Sequence, residues 1–509
     1  MSPSQPLAGQ IRPLRGPLPE PGPRTQRRAP LERVAVGITA VVCLLLLLSS
    51  VRRAFDHDEF EAIHSAWKML DGETIYVDFF QHHHPLFYFT LAGVIAATGT
   101  GTATVLACRL LVLGMTAGIL LLTHRIARRA HGRAVAGLSV ALLGTSVIFF
   151  EKAIEVRPDV PQALAGLGAV NFLLSYFERR RPARLVLSAF CLVLSLLFLQ
   201  KAVFLTVFVA VFLASRIWTR AIRPGWVALY WAVFLLGLAL FVAVLLLYVP
   251  WSEYVFLNWT LNAQLRGHFT PLKYLLSSLA ENPLVWAGYL GGLVFLAKTR
   301  AAGPLAWLSV WLLSTVFVAG APFRQYYLLA MPFVCIVAAS GLARLSERDG
   351  WGGWRGPALL ALGAVYPTLV LGRGIVTGNA EQQRKIQYVL EVTEPGDFVY
   401  DGRIQFNLFR KDIDYFWFSL RPNAGALAAY RMLRGYDYDP YERIRALEPK
   451  VVSGFLLDTG DPAVAGSYVR SGRYPDLYLR SGGTARCDDA QARRAARPLC
   501  PPPRPPGPW

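Results

Sequence analysis

Between Asp56 and Leu86 the chain reads DHDEFEAIHSAWKMLDGETIYVDFFQHHHPL, which holds seven carboxylates and five histidines. Four of the acids, Asp56, Asp58, Glu59 and Glu61, fall within six residues. Like charges this close raise one another's pKa unless a cation or a charged substrate compensates them, and a carboxylate so placed can take the proton of an attacking hydroxyl. A plainer role competes. Asp58 precedes Phe60, Ile63, Trp67 and Leu70 at helical spacing, and Asp58 with Glu61 fits a capping box. A cap needs one carboxylate, so the density of acids favours chemistry.

His82, His83 and His84 precede Pro85, which biases the residue before it toward extended backbone. An extended chain would turn His82 and His84 to one side and His83 to the other. Imidazole with carboxylate suits a first-row metal, and Asp with water suits magnesium or manganese. His82, His84 and Asp58 are therefore a candidate set for Mg, Mn or Zn; a solvated polar loop is the alternative.

Three later segments carry matching charges. EVRPDVP holds Arg157 and Asp159, LQKAVF holds Lys201, and FRQYYLLAMP holds Arg324 and Tyr327. A guanidinium can fork onto a phosphate. Each segment also has a structural reading: a proline-shaped turn, a snorkelling lysine, and a topological arginine.

The elements that must position these residues are membrane helices. The chain is 54% hydrophobic and 17% charged, with a mean hydropathy of +0.37. Runs such as 34–50, 226–249 and 326–342 approach or exceed the roughly 17–25 apolar residues that cross a bilayer. The net charge of +19 gathers as arginine clusters in alternate loops, which is a topology signal rather than a nucleic-acid surface. The pattern predicts about eleven spans with the N-terminus cytoplasmic and the C-terminus outside. They lie near 34–51, 103–123, 134–150, 160–177, 185–199, 202–217, 226–249, 284–297, 305–320, 325–343 and 357–372. The segment 85–98 is too short to span and is expected to lie along the outer interface. The first span lacks a good small-residue cleavage site and is expected to be retained. The fold class is thus an all-α polytopic membrane protein with a small C-terminal extracytoplasmic α/β domain.

Residues 1–30 read as a disordered cytoplasmic tail, 31–372 as the membrane domain with a first outer loop at 52–102, and 379–485 as the α/β domain. Residues 486–509 end in PPPRPPGPW and read as flexible. Cys43, Cys108, Cys191 and Cys335 lie in apolar runs, whereas Cys487 and Cys500 fall in the outer tail, where a disulfide can form.

An acidic pair opening a helix, then GETIYVDFF, then a polar triplet ending in His-Pro resembles the first outer loop of GT-C glycosyltransferases. The most similar type includes bacterial protein O-mannosyltransferases and the lipid A aminoarabinose transferase (glycosyltransferase family 39 type). Asp58-Glu59 matches the family's Asp-Glu pair and His84-Pro85 its His-Pro; Leu86 departs from it, since many members have a second proline there. Arg157/Asp159, Lys201 and Arg324 match later family motifs. The resemblance implies transfer of a sugar, with inversion, from a polyprenyl-phosphate donor to a lipid, glycan or protein acceptor, most simply in a bacterial inner membrane. Asp58, Glu59 and Asp159 would then be catalytic, with Lys201, Arg324, His84, Arg157 and Tyr327 on the donor phosphate. A transporter or flippase is the rival class, but transporters place ionisable groups near the bilayer midplane, and here they sit at one face. An assembly factor that kept the fold and lost activity is a third reading.

Overall fold

The computed structural model describes residues 24–265, 270–299, 303–318, 323–345, 354–417, 425–454 and 462–481. Cys487, Cys500, the Pro-rich end and most of the N-terminal tail lie outside the described residues.

The helices run in the order α1 (Arg24–Arg52), α2 (His57–Leu70), α3 (Leu86–Thr98), α4 (Thr102–His131), α5 (Arg133–Thr145), α6 (Val147–Ala153), α7 (Asp159–Arg179), α8 (Pro182–Phe198) and α9 (Val203–Trp218). There follow α10 (Pro224–Leu245), α11 (Trp251–Val255), α12 (Leu261–Gln264), α13 (Pro271–Glu281), α14 (Pro283–Lys298), α15 (Pro304–Val316), α16 (Met331–Leu345) and α17 (Arg355–Thr377). Among the described residues six helices are long and apolar enough to cross a membrane, or eight if each of two bent pairs is one span. Every run expected to span coincides with one of these helices, with such a pair, or with a shorter apolar helix. Two boundaries differ. Helix α1 begins at Arg24 and carries Pro30 inside it, so the helix reaches back into the segment expected to be disordered. Between α8 and α9 the chain makes a 3-10 turn, Gln200–Ala202, which presents Lys201.

The two bent pairs hold each other. Helices α5 and α6 bend by 72° at Ser146, and α13 and α14 by 103° at Asn282. A break frees backbone groups that a bilayer cannot satisfy. The Asn282 amide meets two of them: its Oδ1 accepts from Val147 N at 2.9 Å and its Nδ2 donates to the Thr145 carbonyl at 2.8 Å. Helices α14 and α16 approach so closely that a Cβ on Gly292 would collide with the Val337 carbonyl oxygen, the small-residue packing that membrane helices favour.

After Gly378, at φ +60°, the chain enters α18 (Ala380–Val392) and a small four-stranded sheet. Its strands are β1 (Val399–Tyr400), β2 (Val451–Ser453), β3 (Tyr468–Arg470) and β4 (Leu477–Arg480), in the order β1-β2-β4-β3. The first pair is parallel and the other two antiparallel. Helices α19 (Gly425–Arg434) and α20 (Pro440–Leu447) complete the unit. The AVAGSYVRS segment is divided between a short helix (Pro462–Ala465) and β3. Helix α20 is initiated by Asp439 as its cap, with Pro440 in the first turn.

This unit is fastened to the first outer loop. Gln382 bonds both the Phe55 amide (2.7 Å) and its carbonyl (3.0 Å), and Asn379 donates to the Val51 carbonyl. Phe80 N donates to the Tyr415 carbonyl at 3.0 Å, and Tyr415 donates to the Tyr76 carbonyl. Asp412 pairs with both His64 and Lys68 of α2, the latter at 3.2 Å.

Candidate functional site

Helix α2 starts two residues earlier than its sequence suggests. Asp56, not Asp58, is the N-cap: its Oδ1 accepts from the Asp58 amide at 3.0 Å, and Glu59 Oε1 accepts from the Asp56 amide at 2.9 Å. Both Asp-x-x-Glu registers fit a capping box; a buried partner decides between them. Glu59 and Arg109 of α4 have fully buried side chains and meet in a fork, Nε to Oε2 at 2.8 Å and Nη2 to Oε1 at 2.5 Å. Arg109 also donates to the Arg53 and Ala54 carbonyls and lies over the Phe55 ring at 4.1 Å. Glu59 Oε2 further accepts from the Val156 amide. Glu59, expected among the reacting groups, has both carboxylate oxygens held by Arg109 and by the Asp56 and Val156 amides. Asp58, freed from capping, faces a cavity.

Opposite Asp58 stands a row of alternating charges. Arg157 Nη1 pairs with Asp58 Oδ2, and Arg157 Nε lies 3.5 Å from Asp159 Oδ2. Asp159 Oδ1 in turn accepts from Lys201 Nζ at 2.9 Å. The Lys201 ammonium sits 3.6 Å from the centroid of the Tyr326 ring. Lys152 bonds Glu155 at 2.8 Å and reaches Asp56 at 4.0 Å.

These groups border a cavity of about 1120 Å³ lined by Asp56, His57, Asp58, Glu61, His82, His83, Tyr88, Lys152, Arg157, Gln200, Lys201, Trp259 and Tyr326, among others. Its far wall includes Arg403, Ile404 and Leu427 of the C-terminal unit. Glu61 accepts from Gln81 Nε2 at 3.1 Å, and burial raises its pKa above the ordinary carboxylate value.

Five of the expected site residues are not on the cavity wall. Besides Glu59, Asp159 is buried behind the wall as the anchor of Arg157 and Lys201. Arg324 is held by Glu151 at 2.6 Å and by Glu281, both on or beside the bent helices. Tyr327 is buried and donates to the Pro271 carbonyl at 3.2 Å; its neighbour Tyr326 is the one that faces the cavity. His84 is also buried, with Nδ1 at 2.8 Å from the Leu196 carbonyl and Nε2 at 3.3 Å from the Tyr254 hydroxyl. Arg324, Tyr327 and His84 thus have structural partners where donor contacts were expected.

The same finding corrects the metal set. His82, His84 and Asp58 do not assemble, because His84 turns away while His82 and His83 face the cavity together, their rings 4.2 Å apart. The expected alternation fails because the backbone is pinned elsewhere: the His82 carbonyl accepts from Asn262 and Gln200, and the His83 carbonyl from Tyr76. Burial, aided by Lys201, lowers the His82 pKa to about 4; burial lowers that of His83 as well, and that of His84 to about 4. The ligand atoms that do gather are those of Asp56, His57 and Asp58, within 4.8 Å of one another. Two carboxylates and an exposed imidazole make a donor set that a divalent ion accepts.

Sequence reasoning missed Arg109 and Asp412. Arg109 had a signal, a guanidinium inside an apolar span, which is rare without a function or partner. Asp412 had none, since its partners His64 and Lys68 lie more than three hundred positions away.

No protein-family model matches the sequence, and no curated protein matches it. Solved structures do match in fold. ArnT from Cupriavidus metallidurans in the apo state superposes with a TM-score of 0.63 at 14% identity, covering 87% of this chain and 97% of that one. ArnT bound to undecaprenyl phosphate gives 0.61 at 14% identity over the same shares. The oligosaccharyltransferase AglB from Archaeoglobus fulgidus, in complex with an inhibitory peptide and a dolichol-phosphate, gives 0.52 at 12% identity, covering 89% of this chain and 75% of that one. The chain therefore shares the fold of these structures, the GT-C fold.

Proposed function

We propose that this protein is a membrane glycosyltransferase that moves a sugar from a polyprenyl-phosphate donor to an acceptor hydroxyl. The observation that carries the reading is the meeting of Asp58, Arg157 and Lys201 in one large cavity, within a fold that ArnT shows binding undecaprenyl phosphate. The donor's tail stays among apolar helices while its phosphate reaches Lys201 and Arg157. A phosphate competes with Asp58 for the Arg157 guanidinium, since both offer paired oxygens to the same fork. Arg157 drawn toward the phosphate leaves Asp58 free to take the acceptor's proton. The acceptor oxygen then bonds the anomeric carbon as the bond to the phosphate oxygen breaks. The departing electron pair stays on the phosphate, where Lys201 and Arg157 stabilise the charge. Direct displacement inverts the anomeric centre.

A divalent cation such as Mg, Mn or Zn, held by Asp56, His57 and Asp58, would supply further charge neutralisation at the phosphate. The arginine-rich loops support a cytoplasmic N-terminus and an extracytoplasmic site in a bacterial inner membrane, with a lipid, glycan or protein as acceptor. Mass spectrometry of membrane glycoconjugates from cells with and without the chain tests the reading. A glycoform that depends on the chain supports it; identical glycoconjugate profiles would remove it.

A further inference from the structure

An apolar groove lies where helices α7, α9 and α15 meet. Val170 and Leu173 line it from α7, Phe208 and Phe212 from α9, and Leu305 and Leu308 from α15. Helical spacing carries two of these walls on to a guanidinium. On α9, Phe208, Phe212 and Arg216 recur every four residues; on α7, Val170, Leu173 and Phe177 share a face that ends at Arg180. Arg180 ends α7 in the left-handed region, at φ +55°, and lies over the Phe177 ring at 5.4 Å. Arg216 lies over the Phe212 ring at 4.8 Å and over Phe177 at 6.0 Å. The two rings pack edge to face, 5.6 Å apart. Arg180 Nη1 donates to the Ala221 carbonyl at 2.6 Å, which ties the link after α7 to the link after α9. Helix α7 leaves the cavity region at Asp159 and runs 21 residues to Arg179, so this end of the body stands roughly 30 Å from Asp159.

Arginines in these links follow the positive-inside pattern, but that pattern does not require guanidiniums stacked at the end of an apolar groove. The links 124–133, 178–184 and 215–223 hold eleven arginines and one acid, Glu178. Glu178 faces Arg129 at 3.5 Å. Among the described residues Arg180 and Arg216 therefore have no carboxylate partner. Two like charges gathered at one ring repel, and an anion bound beside them turns the repulsion into attraction. Trp218, 90% exposed and two residues beyond Arg216, is of the type enriched at headgroup depth. Val211 of α9 and Trp307 of α15, each next in sequence to a groove residue, are exposed on the surface that a bilayer covers. We infer that this groove and its two arginines bind an anionic phospholipid of the surrounding bilayer. Its phosphodiester meets Arg180 and Arg216, and an acyl chain lies along Phe212, Phe208 and Leu305. A guanidinium offers forked donors to phosphate oxygens, and basic pockets between membrane helices suit such headgroups. The inference stands apart from the reading of the cavity.

The test titrates the purified full-length chain in detergent with single phospholipids and counts bound lipid by native mass spectrometry. The probes are phosphatidylglycerol and cardiolipin against phosphatidylethanolamine and phosphatidylcholine of the same chains. An anionic lipid should bind roughly 10-fold or more tightly than the zwitterionic ones, since each arginine near a headgroup contributes about fivefold. Arg180→Gln with Arg216→Gln should erase that preference. Arg125→Gln with Arg128→Gln removes the same charge from exposed positions on α4 and should keep it. Glycerol phosphate, a headgroup without chains, should not displace the bound lipid at millimolar concentration. Equal loss in both double variants would reduce the effect to general surface charge and overturn the inference; displacement by glycerol phosphate would overturn it by removing the groove. Equal binding of anionic and zwitterionic lipids by the wild type would overturn it without any variant.

Discussion

Lys201 Nζ lies 2.9 Å from Asp159 Oδ1, and the other oxygen of that carboxylate lies 3.5 Å from Arg157 Nε. One buried acid therefore holds two cations at the cavity wall, each on a different element. Lys201 comes from the turn between α8 and α9, and Arg157 from the loop before α7. The arrangement fixes the spacing of the cations before any anion arrives, so their ordering costs little when it does.

Replacing Lys201 with Met keeps the apolar stem over Tyr326 and removes the charge. A charge-assisted hydrogen bond contributes about 1.5–3 kcal/mol, so affinity for undecaprenyl phosphate should fall by roughly 10- to 150-fold. Titration of the purified variant by native mass spectrometry reads this directly. Wild-type affinity in Lys201→Met would take the phosphate away from this ammonium.

Arg109→Met leaves Glu59 buried without its cation and the Arg53 and Ala54 carbonyls without their donor. Breaking one side of a buried pair costs about 3–5 kcal/mol. A sharp drop in melting temperature in detergent is the expected result. A variant as stable as the wild type would mean that the pair does not set the start of α2.

Asp412→Asn should loosen the C-terminal unit from α2, because Lys68 and His64 then share a neutral partner. The expected readout is faster proteolysis of residues 379–481 with the helical body intact. Protection equal to the wild type would place the fastening elsewhere, on Gln382 and Tyr415.

Much of this architecture was legible in the sequence because hydrophobic runs act locally. Each of the expected apolar spans found a helix, and Asp58, Arg157 and Lys201 lie together at one cavity. Partnerships across long separations were not legible. The sequence offered two equivalent capping registers at α2, and only Arg109, fifty positions on, selects Asp56 over Asp58. Arg324 resembled a phosphate ligand by motif, yet Glu151 and Glu281 claim it, neither of them near it in the chain. The histidine triplet failed for a different reason: alternation assumes a regular strand, and residues 80–84 lie in an irregular loop held by Tyr76, Gln200 and Asn262.

The histidines give the protein an acid limit. Unfolded, they take up protons near 6.5; folded, His82 and His84 do so only at about 4, and burial lowers His83 too. The unfolded chain therefore binds more protons between these values. Stability contributed by the neutral imidazoles should be complete above about pH 6.5 and fall as the pH drops toward 4. Melting temperature followed across that window should decline, and His82→Gln should shallow the decline. An unchanged slope in that variant would take His82 out of the acid sensitivity and leave it to His83, His84 or the carboxylates.

Asp58→Asn tests the central claim most directly. Asp56 is the cap, so the substitution leaves the start of α2 in place; it forfeits a first-turn charge worth about 0.3–1 kcal/mol and one charged partner of Arg157, which keeps Asp159 beside it. The variant should therefore insert and fold. Chain-dependent glycoconjugate, measured by mass spectrometry in cells carrying only the variant, should fall by roughly 10²-fold or more, the scale of losing a general base. Binding of undecaprenyl phosphate, assigned to Lys201 and Arg157, should survive in the same protein. Transfer close to the wild-type level by well-folded Asp58→Asn would contradict the account and leave Glu61 as the cavity carboxylate to examine.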